Sequence, residues 1–128
     1  MIVGVGVDIV EVPRIKDAVS RWKGAFLKRI FTENEIQYSK AKKFACQHLA
    51  ARFAAKEAVL KAIGDSSIQR IGLSEVEVLN DESGKPFIRL SGEAKRIQES
   101  RGISEIIISM SHTRKFAIAN AILIKNVE

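Results

Sequence analysis

The chain has 128 residues, of which 46% are hydrophobic and 28% are charged, and its formal net charge at pH 7 is +6. This length and composition predict one globular domain with one core, spanning residues 1–128. The positive charge indicates an acidic partner, such as nucleic acid, an anionic membrane, an acidic protein or a phosphorylated small molecule, and does not choose among them.

The first element predicted is a strand over Ile2–Glu11, because apolar residues alternate with small or polar ones. One face of the strand carries β-branched residues (Val3, Val5, Val7 and Ile9), and the other carries Gly4, Gly6 and Asp8. Two glycines before a carboxylate predict close approach of another element, with Asp8 at the rim of the contact. The alternative is a strand with a surface aspartate near its end.

Two helices are predicted next. Pro13 suits the first turn of a helix over residues 13–23, with an apolar stripe formed by Ile15, Ala18, Val19 and Trp22 and its basic residues directed outward. Thr32 and Glu35 form a capping box at the start of a short helix that ends near residue 41. Glu35 is therefore either a capping residue or a candidate for acid–base chemistry.

A long alanine-rich helix over residues 47–64 organises the chain, and Gly64 suits its C-terminal cap. Bulky apolar residues and alanines occupy two arcs of this helix, so little of its circumference is left for solvent. It nevertheless carries Arg52, Lys56, Glu57 and Lys61. Such charges are costly unless they are paired, bind a metal or face a cleft. The alternative is two solvated rows with a Glu57–Lys61 pair.

The second half of the chain predicts two antiparallel hairpins separated by a helix. Residues 73–79 and 85–90 are the arms of the first hairpin, around a turn over residues 80–84. A helix follows to about residue 100 and ends at Gly102. Residues 104–111 and 115–124 form the last hairpin, with residues 111–114 as its turn. The predicted fold is α+β, an antiparallel-rich sheet packed on one long helix.

Several functional classes are disfavoured. The aromatic content is 6% with no cluster of rings, which argues against single-stranded nucleic-acid binding. The longest apolar run, residues 116–124, is too short to cross a bilayer, and the N-terminus lacks the basic segment of a signal peptide. The single Cys46 excludes an internal disulfide and fits a reducing compartment, so we expect a cytoplasmic protein. No zinc spacing, Walker loop or dinucleotide fingerprint is present.

What remains is a pair of carboxylates with basic partners. Asp8 and Glu57 lie on elements that we expect to pack together, and two carboxylates are the usual protein share of a Mg²⁺ site. Lys61 lies one turn beyond Glu57, where it could reach a phosphate, and His112 lies in the last hairpin turn, where it either contacts phosphate or is solvated. Together these residues favour Mg²⁺-dependent chemistry on a pyrophosphate.

Four segments, residues 4–9, 52–62, 80–86 and 111–113, resemble the holo-acyl-carrier-protein synthases, the small 4′-phosphopantetheinyl transferases. The resemblance covers essentially the whole chain. It implies the fold of that family and Mg²⁺-dependent transfer of 4′-phosphopantetheine from coenzyme A to a serine of an apo acyl carrier protein, with release of adenosine 3′,5′-bisphosphate. The resemblance further implies a role in fatty acid biosynthesis. It also implies a homotrimer with its sites at the subunit interfaces.

The resemblance also implies roles for individual residues. Asp8 and Glu57 match the Mg²⁺ ligands and, with Lys61 near the pyrophosphate, the catalytic set. The residues implied to contact coenzyme A are Arg52, Lys61, Gly84, Lys85, Pro86, His112 and Thr113, with residues 84–86 coming from a neighbouring subunit. Arg14 and Arg21 match positions that dock the acidic carrier protein.

Some points stay open at this level. The proton acceptor is Glu35, Glu57 or a water on the metal, and Lys56 either reaches substrate or holds its neighbours in place. The alternative function is a non-catalytic basic module of the same fold that binds acidic proteins or nucleic acid.

Overall fold

The first and last strands of the chain pair with each other. In a computed structural model, which describes residues 1–127, β1 (Ile2–Glu11) pairs antiparallel with β5 (Phe116–Ile124), and β5 pairs antiparallel with β4 (Glu105–His112). A second sheet contains β2 (Val76–Asn80) and β3 (Pro86–Leu90), also antiparallel. The predicted α+β class with antiparallel pairing is confirmed, although the strands divide between two sheets.

Four α-helices connect the strands: α1 (Val12–Ile30), α2 (Glu33–Lys40), α3 (Ala45–Ile63) and α4 (Gly92–Arg101). Two short 3₁₀ segments, Ser66–Arg70 and Leu73–Glu75, lead into β2. The strand predicted from residue 73 therefore begins three residues later. None of the helices in residues 1–127 is both long and apolar enough to cross a membrane.

Helix α3 is the centre of the fold. It lies across the inner face of the three-stranded sheet, and its alanines are buried on nearly every side. Gly64 ends the helix in the left-handed conformation, with φ of 74°, and its N–H donates to the carbonyl of Leu60 at 2.9 Å. Of its four charged residues, Arg52 and Lys56 are buried, Glu57 is half-buried and Lys61 is exposed.

The outer face of the three-stranded sheet is apolar and exposed. Val5, Val7 and Ile9 are 64%, 56% and 62% exposed, and the strand pairing places Ile118 and Phe116 beside them on the same face. Val5, Val7 and Ile9 thus point to solvent while the glycine face of β1 points to the core; Val3, beside the irregular register between Ile2 and Gly4, is half-buried against the core instead. This exposed face is called the outer face below.

Helix α1 differs from its prediction. It continues to Ile30 with a bend at Lys23, which has a φ of 48°, and only Val12 and Ile15 are buried. Trp22 is 63% exposed, so its assignment to the apolar stripe was wrong. The helix contacts the core through its first turns and again through Phe26, Leu27 and Ile30 near its end, and Trp22 lies exposed between these contacts.

The last turn is also displaced by one residue. His112 is the final residue of β4, paired with Ala117 of β5, and not the tip of the turn. Thr113 closes the hairpin: its N–H donates to the carbonyl of Phe116 at 2.8 Å, and its hydroxyl accepts from the N–H of Phe116 at 3.1 Å.

Candidate functional site

Two glycines allow α3 to lie directly against β1. A Cβ atom on Gly4 would be 2.2 Å from the carbonyl oxygen of Ala62, and one on Gly6 would be 2.1 Å from that of Ala58. Side chains do not approach backbone oxygens so closely, so only glycine fits at either position. The contact brings Asp8, which is two residues beyond Gly6 on the same face of the strand, to the side of α3. The predicted close approach is confirmed.

Asp8, Glu57 and Lys61 form one charged group at this contact, called the Asp8 cluster. The Lys61 Nζ donates to Asp8 Oδ1 at 2.8 Å and to the carbonyl of Val7 at 3.2 Å. Burial raises the pKa of Glu57, and the negative charge of Asp8 raises it further against the opposing charge of Lys61. The hydrogen bond with Asp8 raises the pKa of Lys61. The structure therefore brings the three predicted residues together.

The donor set of this cluster suits a magnesium ion. The charge of Asp8 raises the pKa of Glu57, so the two carboxylates are near enough to repel, and a divalent cation would remove that repulsion. No group of three or more His, Cys, Asp or Glu side chains in residues 1–127 could hold a metal by itself. Two carboxylates fit an ion whose other ligands are water and substrate oxygens, and Mg²⁺ is usually bound in this way.

Arg52 lies on the opposite side of α3. It precedes Lys61 by nine residues, and at about 100° per residue the two side chains point roughly 180° apart. The Arg52 side chain is 2% exposed, its Nη2 donates to Asn80 Oδ1, and its guanidinium carbon lies 4.1 Å from the centre of the Tyr38 ring. Its buried Nε has no hydrogen-bond partner within the described residues. Arg52 lines a small cleft together with Tyr38, Asn80 and Arg89.

Both histidines of the chain lie on the same side of α3 as Arg52. The rings of His48 and His112 have centres 5.0 Å apart, and the Tyr38 ring lies 6.1 Å from that of His48. Burial lowers the pKa of His48, and the nearby cations, His112, Arg52 and Lys42, lower it further. Tyr38, His48, Arg52, Asn80 and His112 are called the Arg52 cluster.

The turn between β2 and β3 is tied to the same cluster. Asn80, which accepts from Arg52, donates through Nδ2 to the carbonyl of Gly84 at 3.0 Å. Asp81 Oδ1 accepts from the N–H of Ser83 and that of Lys85, each at 2.9 Å, and Gly84 has a φ of 89°. The predicted segment, Gly84, Lys85 and Pro86, is thus a structured turn with its first two residues exposed.

Glu35 and Lys56 form a buried ion pair away from the surface. Both side chains are fully buried, and Lys56 Nζ donates to Glu35 Oε1 at 2.7 Å. Burial lowers the pKa of Lys56, and the charge of Glu35 counteracts this shift. The capping box of Thr32 and Glu35 is confirmed. Of the two alternatives for Glu35 the structure shows capping, and both of its oxygens accept hydrogen bonds in the core.

Arg14 and Arg21 lie on the exposed side of α1. Arg21 makes a loose pair with Asp17, at 3.6 Å between Nε and Oδ2. Arg14 borders a hollow of about 430 Å³, floored by apolar side chains that include Phe26 and Phe53. Both arginines are accessible to an acidic partner.

Tyr38, His48 and Asn80 were not anticipated as part of a site. Tyr38 and His48 lie in helices whose pattern shows no chemical motif, and the sequence places Asn80 in a turn and in a resembling segment without giving it a role. The signal available was Arg52 itself, since a buried guanidinium requires an acceptor and favours an aromatic face. The sequence does not show which residues supply them, because the partners are separated from Arg52 by 14 residues or more along the chain.

Comparisons with known proteins agree on one family. A family model described as the 4′-phosphopantetheinyl transferase superfamily matches residues 4–121. The chain is 47% identical over 119 residues to the holo-[acyl-carrier-protein] synthase of Halothermothrix orenii, covering 93% of this chain and 94% of that protein.

Solved structures are similar along their whole length. The crystal structure of holo-[acyl-carrier-protein] synthase from Neisseria meningitidis has a TM-score of 0.86 and 31% identity, covering 98% of this chain and 100% of that one. The holo-(acyl-carrier-protein) synthase of Bacillus anthracis, in complex with CoA (3′,5′-ADP), has a TM-score of 0.80 and 35% identity, covering 98% of this chain and 99% of that one.

Proposed function

The chain belongs to the 4′-phosphopantetheinyl transferase superfamily, and we propose that it transfers 4′-phosphopantetheine from coenzyme A to a serine hydroxyl of an apo acyl carrier protein. The serine oxygen bonds to the phosphorus that bears pantetheine, the P–O bond to the second phosphate breaks, the serine proton passes to a base, and adenosine 3′,5′-bisphosphate leaves. The Asp8 cluster carries the proposal, because phosphoryl transfer requires positive charge and positioning at the pyrophosphate.

Asp8 and Glu57 are the residues that would hold Mg²⁺. When bound, the ion supplies positive charge to the pyrophosphate oxygens. The Lys61 ammonium group has an N–H bond that neither Asp8 nor Val7 accepts, and it donates this bond to the same phosphates. Its side chain is 55% exposed beside Asp8, so it can also stabilise the charge on the departing group. Because both oxygens of Glu35 are occupied in the core, the proton acceptor is Glu57 or a water held at the Asp8 cluster.

The Arg52 cluster and the turn over residues 84–86 bind the nucleotide end of coenzyme A. Arg52, Lys85 and the two histidines offer cationic or hydrogen-bonding groups to its phosphates, and Thr113 adds a hydroxyl beside His112. Because Arg52 and Lys61 point to opposite sides of α3, we place these two halves of the site in neighbouring copies of the chain.

A homotrimer supplies such an arrangement. A cyclic assembly repeats one heterologous contact. Every copy therefore contributes its Asp8 cluster to a site shared with one neighbour and its Arg52 cluster to a site shared with the other. The outer face supports self-association, because a contiguous exposed sheet face made of Val5, Val7, Ile9 and Ile118 is typical of a protein interface.

The carrier protein is acidic, and Arg14 and Arg21 dock it. Charge complementarity between a basic helix and an acidic helix accelerates association more than it tightens binding. The enzyme supplies holo carrier protein for fatty acid biosynthesis in the cytoplasm. The relatives named holo-[acyl-carrier-protein] synthase support a carrier protein as the substrate, and the exposed basic side of α1 supports the docking role of the two arginines.

One assay tests the proposed function. The chain is mixed with apo carrier protein, coenzyme A and Mg²⁺, and the carrier mass is measured with and without a chelator. We expect the mass to increase by one phosphopantetheine, and only without chelator. If several apo carriers show no increase, a non-catalytic basic module is favoured; steep salt dependence of nucleic-acid binding would then identify the nucleic-acid alternative.

A further inference from the structure

Lys56 is the charged residue of α3 that belongs to neither cluster. Its ammonium group has three N–H bonds, and each has an acceptor: Glu35 Oε1 at 2.7 Å, the carbonyl of Val76 at 2.7 Å and the carbonyl of Leu73 at 3.0 Å. The side chain is fully buried. No donor of Lys56 is therefore left for a substrate.

The carboxylate of Glu35 is saturated in the same way. Its Oε1 accepts from the N–H of Thr32 at 2.9 Å as well as from Lys56, and its Oε2 accepts from the N–H of Val78 at 2.8 Å. The pair thus connects the start of α2, the middle of α3 and the first half of β2. Lys56 is 21 residues from Glu35 and 20 from Val76, so residues far apart along the chain meet at this point.

The same three elements supply the core of the Arg52 cluster. Tyr38 lies one turn beyond Glu35 on α2, Arg52 lies one turn before Lys56 on α3, and Asn80 lies two residues beyond Val78 on β2. Each residue that contacts the guanidinium is therefore close along the chain to a residue of the ion-pair network. The Asp8 cluster depends instead on the contact of Gly4 and Gly6 with α3.

We propose that Lys56 and Glu35 are positioning residues for the nucleotide-binding half of the site. Their ion pair holds α2, α3 and β2 so that Tyr38, Arg52 and Asn80 meet, and neither side chain touches substrate. A buried ion pair stabilises a fold little compared with apolar residues of equal size, and its best-attested role is to select one arrangement. The inference rests on the proposed function, because coenzyme A is taken as the ligand of the Arg52 cluster.

The double variant Lys56→Met/Glu35→Gln tests this role. It removes both charges together, while methionine fills the volume of the lysine stem and glutamine retains an oxygen for the N–H of Val78. We expect KM for coenzyme A to rise about tenfold or more while kcat stays within about threefold, since only binding remote from the reacting phosphorus is impaired. The KM for carrier protein and the Mg²⁺ concentration at half-maximal rate stay unchanged.

A matched control separates positioning from general loss of stability. Ile97→Ala removes a buried side chain of α4, outside both clusters, and its melting temperature is compared with that of the double variant. If the double variant is unfolded at the assay temperature, both variants are measured at a lower temperature at which circular dichroism shows the double variant to be folded. The dissociation constant of coenzyme A, measured by calorimetry, supplies a readout independent of turnover.

Each result decides the inference. A selective rise in KM and in the dissociation constant for coenzyme A, absent from Ile97→Ala, supports it. A fall in kcat with unchanged KM places Lys56 at the reacting phosphate and overturns it, as do constants equal to those of the control. Failure of the wild-type chain to modify any apo carrier would instead overturn the proposed function, and is recognised because the wild type itself is inactive.

Discussion

Replacing Gly6 by alanine should separate β1 from α3 and move Asp8 away from Glu57. A Cβ atom at this position would lie 2.1 Å from the Ala58 carbonyl oxygen, whereas ordinary contact begins at 3.4 Å. The two backbones must therefore move apart by about 1.3 Å (3.4 − 2.1). The neighbouring atoms belong to backbone, so no side chain can rotate to relieve the clash.

The expected loss has a thermal and a catalytic part. Overpacking of this kind costs about 3 kcal/mol, the upper end of the usual range. For a chain of this size a loss of 1 kcal/mol lowers the melting temperature by roughly 4 °C, so we expect a decrease of about 12 °C. A displacement near 1 Å in a catalytic group lowers the rate by about 100-fold, and kcat should fall by that factor even where the variant is folded.

Circular dichroism melting and the carrier-modification assay measure the two parts. Gly24→Ala is the matched control, because a Cβ atom on Gly24 has no atom within 4 Å, and its melting temperature should stay the same or rise slightly. The reasoning is refuted if Gly6→Ala melts and reacts like the wild type. A lowered melting temperature with unchanged kcat would show that the close contact does not position Asp8.

Four further predictions address separate parts of the account. Glu57→Gln should abolish Mg²⁺-dependent transfer while the oligomer persists in size-exclusion chromatography; undiminished activity would remove Glu57 from the metal site. Reversing Arg14 and Arg21 to glutamate should raise KM for the carrier protein far more than KM for coenzyme A, and equal effects would contradict docking by α1. Ile118→Glu should convert the oligomer to folded monomers in analytical ultracentrifugation, with loss of transfer, and an intact oligomer would exclude the outer face as the interface. The pKa of His48 is lower in the folded state than its unfolded value of about 6.5. As the pH falls through 6.5, the unfolded state therefore binds more protons than the folded state, and the free energy of unfolding decreases. His48→Gln should lose less melting temperature than the wild type between pH 7.5 and pH 5.5, and an identical decrease would refute the shift.

Local patterns in the sequence predict most of the elements. Alternation identifies β1 over the residues that the structure assigns to it, Thr32 and Glu35 form the predicted capping box, and Gly64 ends α3 as expected. Each of these features depends on residues within a few positions of one another. The two glycines of β1 also predict their close contact, because bare positions on a strand have few other uses.

The features that could not be predicted depend on distant partners. Lys56 finds its counter-ion 21 residues earlier in the chain and its carbonyl acceptors in the segment that leads into β2. Trp22 fits an apolar stripe by periodicity, yet no other element covers it. The apolar face of β1 is exposed because α3 occupies the opposite face, which alternation alone does not decide.

The residues of the candidate site also fall into those that local patterns group and those that depend on distant partners. Asp8, Glu57 and Lys61 could be grouped from the sequence, since two of them share a helix face and the glycine face indicates where the strand lies. The Arg52 cluster could not be assembled, because Tyr38 and Asn80 lie on other elements, 14 and 28 residues from Arg52 along the chain.

The central claim is that the two clusters belong to one site completed between copies, and mixing two inactive variants tests it most directly. Glu57→Gln and Arg52→Met are each assayed alone and then co-expressed with different affinity tags, so that mixed oligomers can be isolated. If each site takes Glu57 from one copy and Arg52 from a neighbour, one of the three sites in every mixed trimer carries both native residues, and the isolated mixed oligomers should recover transfer activity to about one third of wild type. If both residues serve the same site within one copy, every site carries a defect, and mixed oligomers as inactive as the single variants would contradict the account.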